Sequence, residues 1–409
     1  MPMLLRATQV GLKVEGTEGT AETIGASDLV PEVRDPRSEV RVTRTQRQGF
    51  RGSVSARSNL HGSRLAMISF AAELVGGAIG TAPVWTRALR GAGFTQAVAY
   101  RVTLADVTGF AAGFRVGNNA TYASATVVGI IAAVDVANDK IYVIPITGDW
   151  SAVANGTTLH VYDRSLVSSG SDTTSGATAA AGYAYTPSTE TNSAATSSFT
   201  VERRVDKAVD GEIMRLVAGR CDARLRFEQD NPAIIEAEFT GVPSQESDLD
   251  PHVVGSALTP TTAAAPYPCR GVVLTVNDDF TPPVVTQGTL NIGNTVTERK
   301  TFTEADYLDS GHLGPRITER RVRFEFNAEY VEAADFQWYK NCLDGTTFPF
   351  LLQHSSLTHT NGMTVIIGET CQMDQDVSPG DTNGIVSQDL AILFTGDDNE
   401  VFIAQLWSA

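Results

Sequence analysis

Five polar residues toward the C-terminus have the donor types of a metal site. His354 and His359 precede Asp374, Asp376 and Asp381, and imidazole with carboxylate is a zinc-compatible set. Their spacing is irregular and the segment reads as loop, so solvated polar side chains are the simpler reading. Asp397, Asp398 and Glu400 could chelate calcium, but the run lacks the complete acidic loop with its glycine that such sites use, and it reads as an acidic turn. Covalent catalysis has no better footing: there is no GxSxG elbow, and Ser69 sits in strand-like alternation with no His-based relay. Gly76 to Gly80 (GGAIG) lacks the GK[ST] ending of a phosphate loop and reads as a turn. Cys221, Cys269, Cys342 and Cys371 lie far apart with no CxxC pair, the pattern of free thiols in a reducing compartment. Cys342 falls on an amphipathic helix pattern and reads as core. Arg316, Arg320, Arg321 and Arg323 form a basic cluster, assigned to surface or intersubunit salt bridges ahead of DNA contact. The chain therefore reads as a non-enzyme with no cofactor and no metal.

The elements that carry these residues are mostly strands. In Ile317 to Tyr330, Val322, Phe324, Phe326, Ala328 and Tyr330 alternate with Arg321, Arg323, Glu325, Asn327 and Glu329, the period of one long strand with one buried face. Leu65 to Val75 alternates in the same way, with Ile68, Phe70, Ala72 and Leu74 on one side. The landmarks around the two recur in one order. Each is preceded by a strand pattern (Glu39 to Thr45; Thr289 to Glu298) and a long polar connection (Gln46 to Arg64; Arg299 to Arg316). Each is followed by a short helix pattern: Val84 to Gly91, and Ala333 to Leu343 with Phe336, Tyr339 and Leu343 on one face. Each copy then has a Gly shortly before a Cys (Gly219 and Cys221; Gly368 and Cys371) and closes on Phe-Thr-Gly at Phe239 and at Phe394. Six ordered landmarks indicate an internal repeat. The first copy is longer by about a hundred residues, enough for a small folded module.

That inserted segment, Gln96 to Gly182, reads as a compact β module resembling small SH3-like barrels only in general. It has a hairpin of Ile130–Val136 with Lys140–Ile146 and a Ser/Thr/Gly/Ala linker from Ser165 to Gly182. Phe199 to Val205, Glu212 to Val217, Ala223 to Phe227 and Ile234 to Phe239 are further strand candidates. Met1 to Thr23 reads as a loosely ordered arm. The expected boundaries are 1–95 with 183–242 for the first, discontinuous domain, 96–182 for the insertion, 243–269 for a linker and 270–409 for the second domain.

The 409 residues carry 31 Lys plus Arg against 47 Asp plus Glu, a formal charge of −16. That balance argues against a surface that gains affinity by releasing counterions from nucleic acid, although an acidic surface can still pass DNA without holding it. With 42% hydrophobic residues the chain can bury real cores. The N-terminus lacks a long apolar core, and Val127 to Val136 is too short to span a bilayer, so neither export nor a membrane segment is expected. Long connections at the same place in both copies suggest a contact surface for another subunit. Its candidate residues are Phe50, Arg51, Arg57 and Leu60 in the first connection, with Phe302, Tyr307, Leu308 and Arg316 in the second.

Several stretches resemble a known family. They are Ile68 to Phe94 (ISFAAELVGGAIGTAPVWTRALRGAGF), Ala184 to Ser198, Val217 to Val242 (VAGRCDARLRFEQDNPAIIEAEFTGV), Leu290 to Lys300 and Gly384 to Ala404. Together they are similar to the major tail tube proteins of long-tailed, siphovirus-like bacteriophages. The resemblance covers most of the chain outside the insertion. It implies two tandem β-sandwich or half-barrel domains, each with a flanking helix, whose inner sheets join between subunits around a lumen, with the insertion displayed outside. It further implies a structural virion protein of the phage tail, assembled in the host cytoplasm into stacked rings for genome ejection. The implied partners are the tape measure protein, the tail terminator and baseplate-proximal proteins, with DNA passing through unbound. Two domains per chain point to a trimeric, pseudo-sixfold ring, the alternative being a hexamer. A competing reading is a β-sandwich binding module, such as a fibre or carbohydrate-binding adhesin.

Overall fold

The computed structural model describes residues 8–45, 60–77, 80–189, 198–205, 212–244, 258, 265–278, 280–282, 284–301, 311–329, 336–375, 378–382 and 385–408. The first half begins with β1 (Gln9–Val14), β2 (Val33–Thr45), β3 (Leu60–Glu73), helix α1 (Thr86–Gly91) and β4 (Phe94–Thr103). A run of short strands follows: β5 (Arg115–Gly117), β6 (Val128–Asp135), β7 (Lys140–Thr147), β8 (Thr158–Tyr162) and β9 (Ser168–Thr173). β10 (Ala179–Pro187), β11 (Phe199–Val205), β12 (Glu212–Glu228) and β13 (Ile234–Pro243) complete this half. The second half contains β14 (Val273–Val276), β15 (Gln287–Asn291), β16 (Asn294–Thr297), β17 (Arg316–Arg320) and β18 (Arg323–Glu329). Helix α2 (Trp338–Asp344) is followed by β19 (Phe348–His354), β20 (Met363–Met373), β21 (Ser378–Thr382), β22 (Ile385–Phe394) and β23 (Phe402–Leu406). The protein is mainly β, and all its described strands except β16 and β17 belong to one connected antiparallel network.

Within that network runs the order β2-β3-β13-β12-β15-β18-β22-β21. It consists of one four-stranded arrangement used twice. β3 pairs with β13, which pairs with β12, and Cys221 of β12 lies opposite Phe239 of β13. In the second half β18 pairs with β22, which pairs with the end of β20, and Cys371 lies opposite Phe394. The recurring Cys and Phe-Thr-Gly landmarks are thus cross-strand neighbours in both halves. The Gly before each Cys also acquires a meaning, because β12 and β20 each change partners there across a bulge. The leading part of β12 pairs with β11 and the leading part of β20 with β23, whereas their trailing parts join the shared sheet. A bulge bends a strand out of one sheet and into another. At Gly368 a side chain would run into the Phe394 ring and the Cys371 sulfur, so the bend packs only with glycine.

Alternation sorts the shared sheet into a buried and a wet side. Ile68, Phe70, Ala72, Ala223, Leu225, Ile235, Phe239, Leu290, Phe324, Phe326, Leu390 and Ile392 are all buried, and they belong to a single hydrophobic cluster spanning both halves. Phe350 bridges Phe324 and Phe394 at centroid distances of 4.8 and 5.4 Å, within the range of favourable aromatic contact.

Several expectations are corrected. The described part of that stretch, Ile317 to Glu329, lies on two strands, broken at Arg321–Val322, because the adjoining strand turns at Gly293 (φ 66) and the Arg321 amide bonds to the Gly293 carbonyl. β16 and β17 therefore leave the sheet as a separate hairpin. The arm expected at Met1 to Thr23 contains β1, paired with β11 and burying Val10 and Leu12 completely. The linker expected from Ser165 to Gly182 contains β9 and the start of β10, where small residues allow close pairing with β8, β4 and β23. Of the helix face read as Phe336, Tyr339 and Leu343, only Phe336 is buried, and it precedes α2. Tyr339 and Leu343 are 65% and 71% exposed. Cys342 on the same helix is only partly buried, while the other three thiols are core.

The insertion is not held at arm's length. Its strands run β4-β7-β6-β5-β8-β9, and the Leu104–Thr174 bridge brings β9 back beside β4. It has its own cluster around Trp150, Ile131 and Val143. A further cluster packs Ile130, Tyr142 and Ile144 against Val365, Ile367 and Phe402 of the second half. Arg115 grips Glu369 with two bonds of 2.6 Å. The module therefore covers β20 and β23.

The central position of Phe239 makes its truncation costly: Phe239→Ala should lose about 3–5 kcal/mol of stability. Val136→Ala, at a hairpin tip 74% exposed, should change stability by less than about 0.5 kcal/mol. Urea unfolding of the two variants against the parent checks both.

Candidate functional site

The wet side of the shared sheet is set by the same alternation that sets the core. Ser69 and Ala71 of β3 lie opposite Glu238 and Glu236 of β13, which in turn lie opposite Asp222 and Arg224 of β12. Arg224 and Arg226 face Asn291 and Thr289 of β15, which face Arg323 and Glu325 of β18, and Asn327 faces Asp389 of β22. A continuous surface of carboxylates, amides, hydroxyls and a few arginines results. Two shallow troughs of about 490 and 500 Å³ run along it, lined by Arg37, Asp222 and Glu238, and by Arg226, Thr289 and Glu325.

Two of the arginines on this side, Arg226 and Arg323, are engaged by neighbouring carboxylates. Arg226 lies 3.3 Å from Glu228 and 3.9 Å from Glu236. Arg323 lies 3.6 Å from Glu325 and 2.5 Å from Asp374. Asp222 and Glu238 are directly opposed like charges, a destabilising arrangement. Burial raises the Asp222 carboxyl, while the Asn294 amide, bonded at 2.9 Å, works against that rise.

The basic cluster at residues 316–323 resolves into pairs within the chain. Arg316 bonds Glu18 at 2.6 Å, Arg320 bonds Glu400 at 3.2 Å, and Arg321 and Arg323 share Asp374. Arg320 also donates to the Gly93 and Ser188 carbonyls, both at 3.1 Å, so it fastens the second half to the turn after α1. Glu18 additionally meets the fully buried Arg220 at 3.3 Å. The N-terminal segment thereby ties β12 of one half to β17 of the other. Glu15, its carboxyl raised by burial, accepts bonds from the Gly19 and Ala218 amides at 2.9 and 2.8 Å. It fixes Ala218 in the left-handed conformation (φ 53) of the β12 bulge.

Of the residues expected to contact other subunits, Arg316 is turned toward Glu18 of its own chain. Leu60 opens β3 opposite Thr45. Phe50, Arg51, Arg57, Phe302, Tyr307 and Leu308 lie outside the described residues. The described strands that flank the two connections pair with each other, β2 with β3 and β16 with β17.

The candidate metal donors are dispersed. His354 and His359 flank the Tyr267 ring at centroid distances of 5.8 and 4.9 Å, Asp374 is taken by two arginines, Asp381 lies on β21 and Asp376 is outside the described residues. Asp398 accepts Thr189, and Glu400 accepts Arg320. Among the described residues no group of three His, Cys, Asp or Glu side chains is placed to hold a metal ion, and no helix is long and apolar enough to cross a membrane.

Among the described residues the shared sheet has two edges with no further strand beside them, and the sequence marked only one of them. One is β2, with Arg34, Arg37, Arg41 and Arg44 and a bulge at Pro36. The other runs from the end of β20 along β21. Charge and proline on β2 are devices of an edge strand, and that was the available signal. No protein-family model matches the chain, and no curated protein matches it in sequence.

His354, 3% exposed and packed on Phe227 and Tyr267, gives a pH prediction. Burial pulls its imidazole down to about 4, so the folded state favours the neutral ring. Its contribution is fully present above the ordinary value near 6.5 and is lost as pH falls toward 4, amounting to roughly 3 kcal/mol. Urea unfolding between pH 7 and pH 4 should show a loss shallower by that amount in His354→Phe.

Proposed function

We propose that this chain is a structural subunit that assembles edge to edge into rings, and that stacked rings form a tube through which DNA passes, as in the tail of a long-tailed phage. The observation that carries this reading is the ladder between β12 and β15. There the last strand of one four-stranded unit pairs with the first strand of the next, Arg224 to Glu228 against Asn291 to Gln287. The joint is head-to-tail, and a head-to-tail joint repeated around an axis closes into a ring. Each chain has the two complementary ends for another such joint, β2 and the β20–β21 edge. Pairing them between chains removes both exposed edges at once.

The wet face would line the lumen. Its acidic side chains repel phosphate, its neutral ones offer no charge to hold it, and Arg226 and Arg323 are engaged by carboxylates, so DNA can slide without being held. Two units per chain give a pseudo-sixfold ring from three copies. In this reading the protein acts by assembly, with no catalysed step. By family resemblance it surrounds a tape measure protein and meets terminator and baseplate-proximal proteins at the tube ends, within a virion assembled in the host cytoplasm.

Negative-stain electron microscopy of the purified chain, with mass from light scattering, tests the proposal. Hollow rings or tubes with three chains per ring are expected. Six chains per ring would overturn the pseudo-sixfold arrangement and leave the tube. Compact monomers persisting at high concentration and after addition of tail initiation components would overturn the tube.

A further inference from the structure

The two helices occupy equivalent places in the repeat and are treated in opposite ways. Both follow the central strand of their unit and end at a Gly with positive φ, Gly93 after α1 and Gly345 after α2. α1 is enclosed: Thr86, Ala88 and Leu89 are fully buried, and Arg87 donates to the Leu12 carbonyl and to Asp28 at 2.7 Å. Its C-terminal end is covered by the β16–β17 hairpin of the second unit. Asn294 donates to the Ala92 and Cys221 carbonyls, both at 2.9 Å, and Arg320 reaches the Gly93 carbonyl. α2 touches β20 through Gln372, which donates to the Gly345 carbonyl at 2.9 Å. Its outer face presents Tyr339 and Leu343, four residues apart and largely exposed, which is one side of a helix.

The ladders identify what belongs over α2. Ile68 lies opposite Phe239, and Val322 accepts the Phe394 amide, so Ile68 and Val322 are equivalent. Two residues earlier stand Ala66 and Arg320, and opposite these stand Val40 and Asn294. Val40 is thus the counterpart of the residue that seals α1, yet it is 40% exposed.

We infer that the exposed face of α2 is the docking site for the β2–β3 hairpin of a second copy of this chain, with Val40 set against the C-terminal end of α2 beside Tyr339 and Leu343. The inference rests on the ring-forming reading and adds the contact that would fix the angle between subunits. Apolar Val40 then replaces polar Asn294, so the joint between chains is sealed by burial of side chains that a lone subunit leaves in water.

Cys342 lies on α2 and is partly exposed, whereas Cys221, Cys269 and Cys371 are buried, so the native thiol serves as a probe. A Val40→Cys chain treated with a short bis-maleimide during assembly should give a denaturation-resistant ladder ending at the ring number. Adding Cys342→Ser should abolish the ladder, and Val136→Cys, at the module tip, should not produce it. Separately, Leu343→Asp should raise the concentration for half-assembly by about tenfold or more. Rings or tubes that form without the cross-link, and form equally well with Leu343→Asp, would overturn this docking and leave the tube standing. A parent chain that forms no rings under any condition would overturn the tube reading and this inference with it.

Discussion

The ladder between β12 and β15 is the interaction on which the rest of the molecule depends. A four-stranded sheet with one apolar face must cover that face and both its edges, and buried backbone groups must find partners. Here the edge of one unit is satisfied by the beginning of the next. Their cores merge into one hydrophobic cluster, running from Val10 to Ile403. The halves are therefore repeats in pattern but one body in packing. The Glu18 contacts to Arg220 and Arg316, and the reach of Arg320 to the turn after α1, cross the same seam. Such partly buried pairs add specificity of register more surely than net stability, which suits a joint that has to hold one alignment.

Much of this was legible because the relevant signals are local. Period-2 alternation marked Leu65 to Val75 and the Val322 to Ala328 positions, since side chains on a strand point alternately to opposite faces. The ordered landmarks marked the repeat because Cys221 and Cys371 fill the same position opposite Phe239 and Phe394. Sheet changes at Gly219 and Gly368 were not legible, since a bulge is defined by partners far away in sequence. The break at Arg321 was hidden for the same reason: it depends on Gly293 in the adjoining strand. The Ser/Thr/Gly/Ala run at 165–182 looked like a linker by composition. Small residues are also what a crowded strand needs, and Gly182 approaches the Gln405 carbonyl too closely for a side chain.

The candidate site shows a harder limit. An apolar stripe on a helix reports that a face is to be buried, and it is silent on whether the cover comes from the same chain. Tyr339 and Leu343 met that criterion, and the fold leaves them uncovered. The basic cluster is the converse case. Four arginines within eight residues read as surface or intersubunit salt bridges, and strand geometry makes those bridges within the chain, sending Arg316 and Arg320 to Glu18 and Glu400, and Arg321 and Arg323 to Asp374. Sequence proximity of like charges carried little information about their environment, because successive strand residues leave on opposite sides.

The different covers of the two units explain why the repeat is so unequal in length. In the first half the outer layer is supplied by β1 and β11, which close over α1 and the leading part of β12. In the second half the corresponding outer strands, β20 and β23, present Val365, Ile367 and Phe402, which need a cover of their own. The insertion provides it, folding back from the first half and locking on through Arg115 and Glu369. An added module that has become part of a neighbour's core cannot be deleted without exposing that core. Its place between β4 and β10, both paired into the outer layer, leaves the wet face of the shared sheet and its two free edges untouched. The strands between β4 and β10 thus add a cover to the second half without occupying either edge of the shared sheet among the described residues.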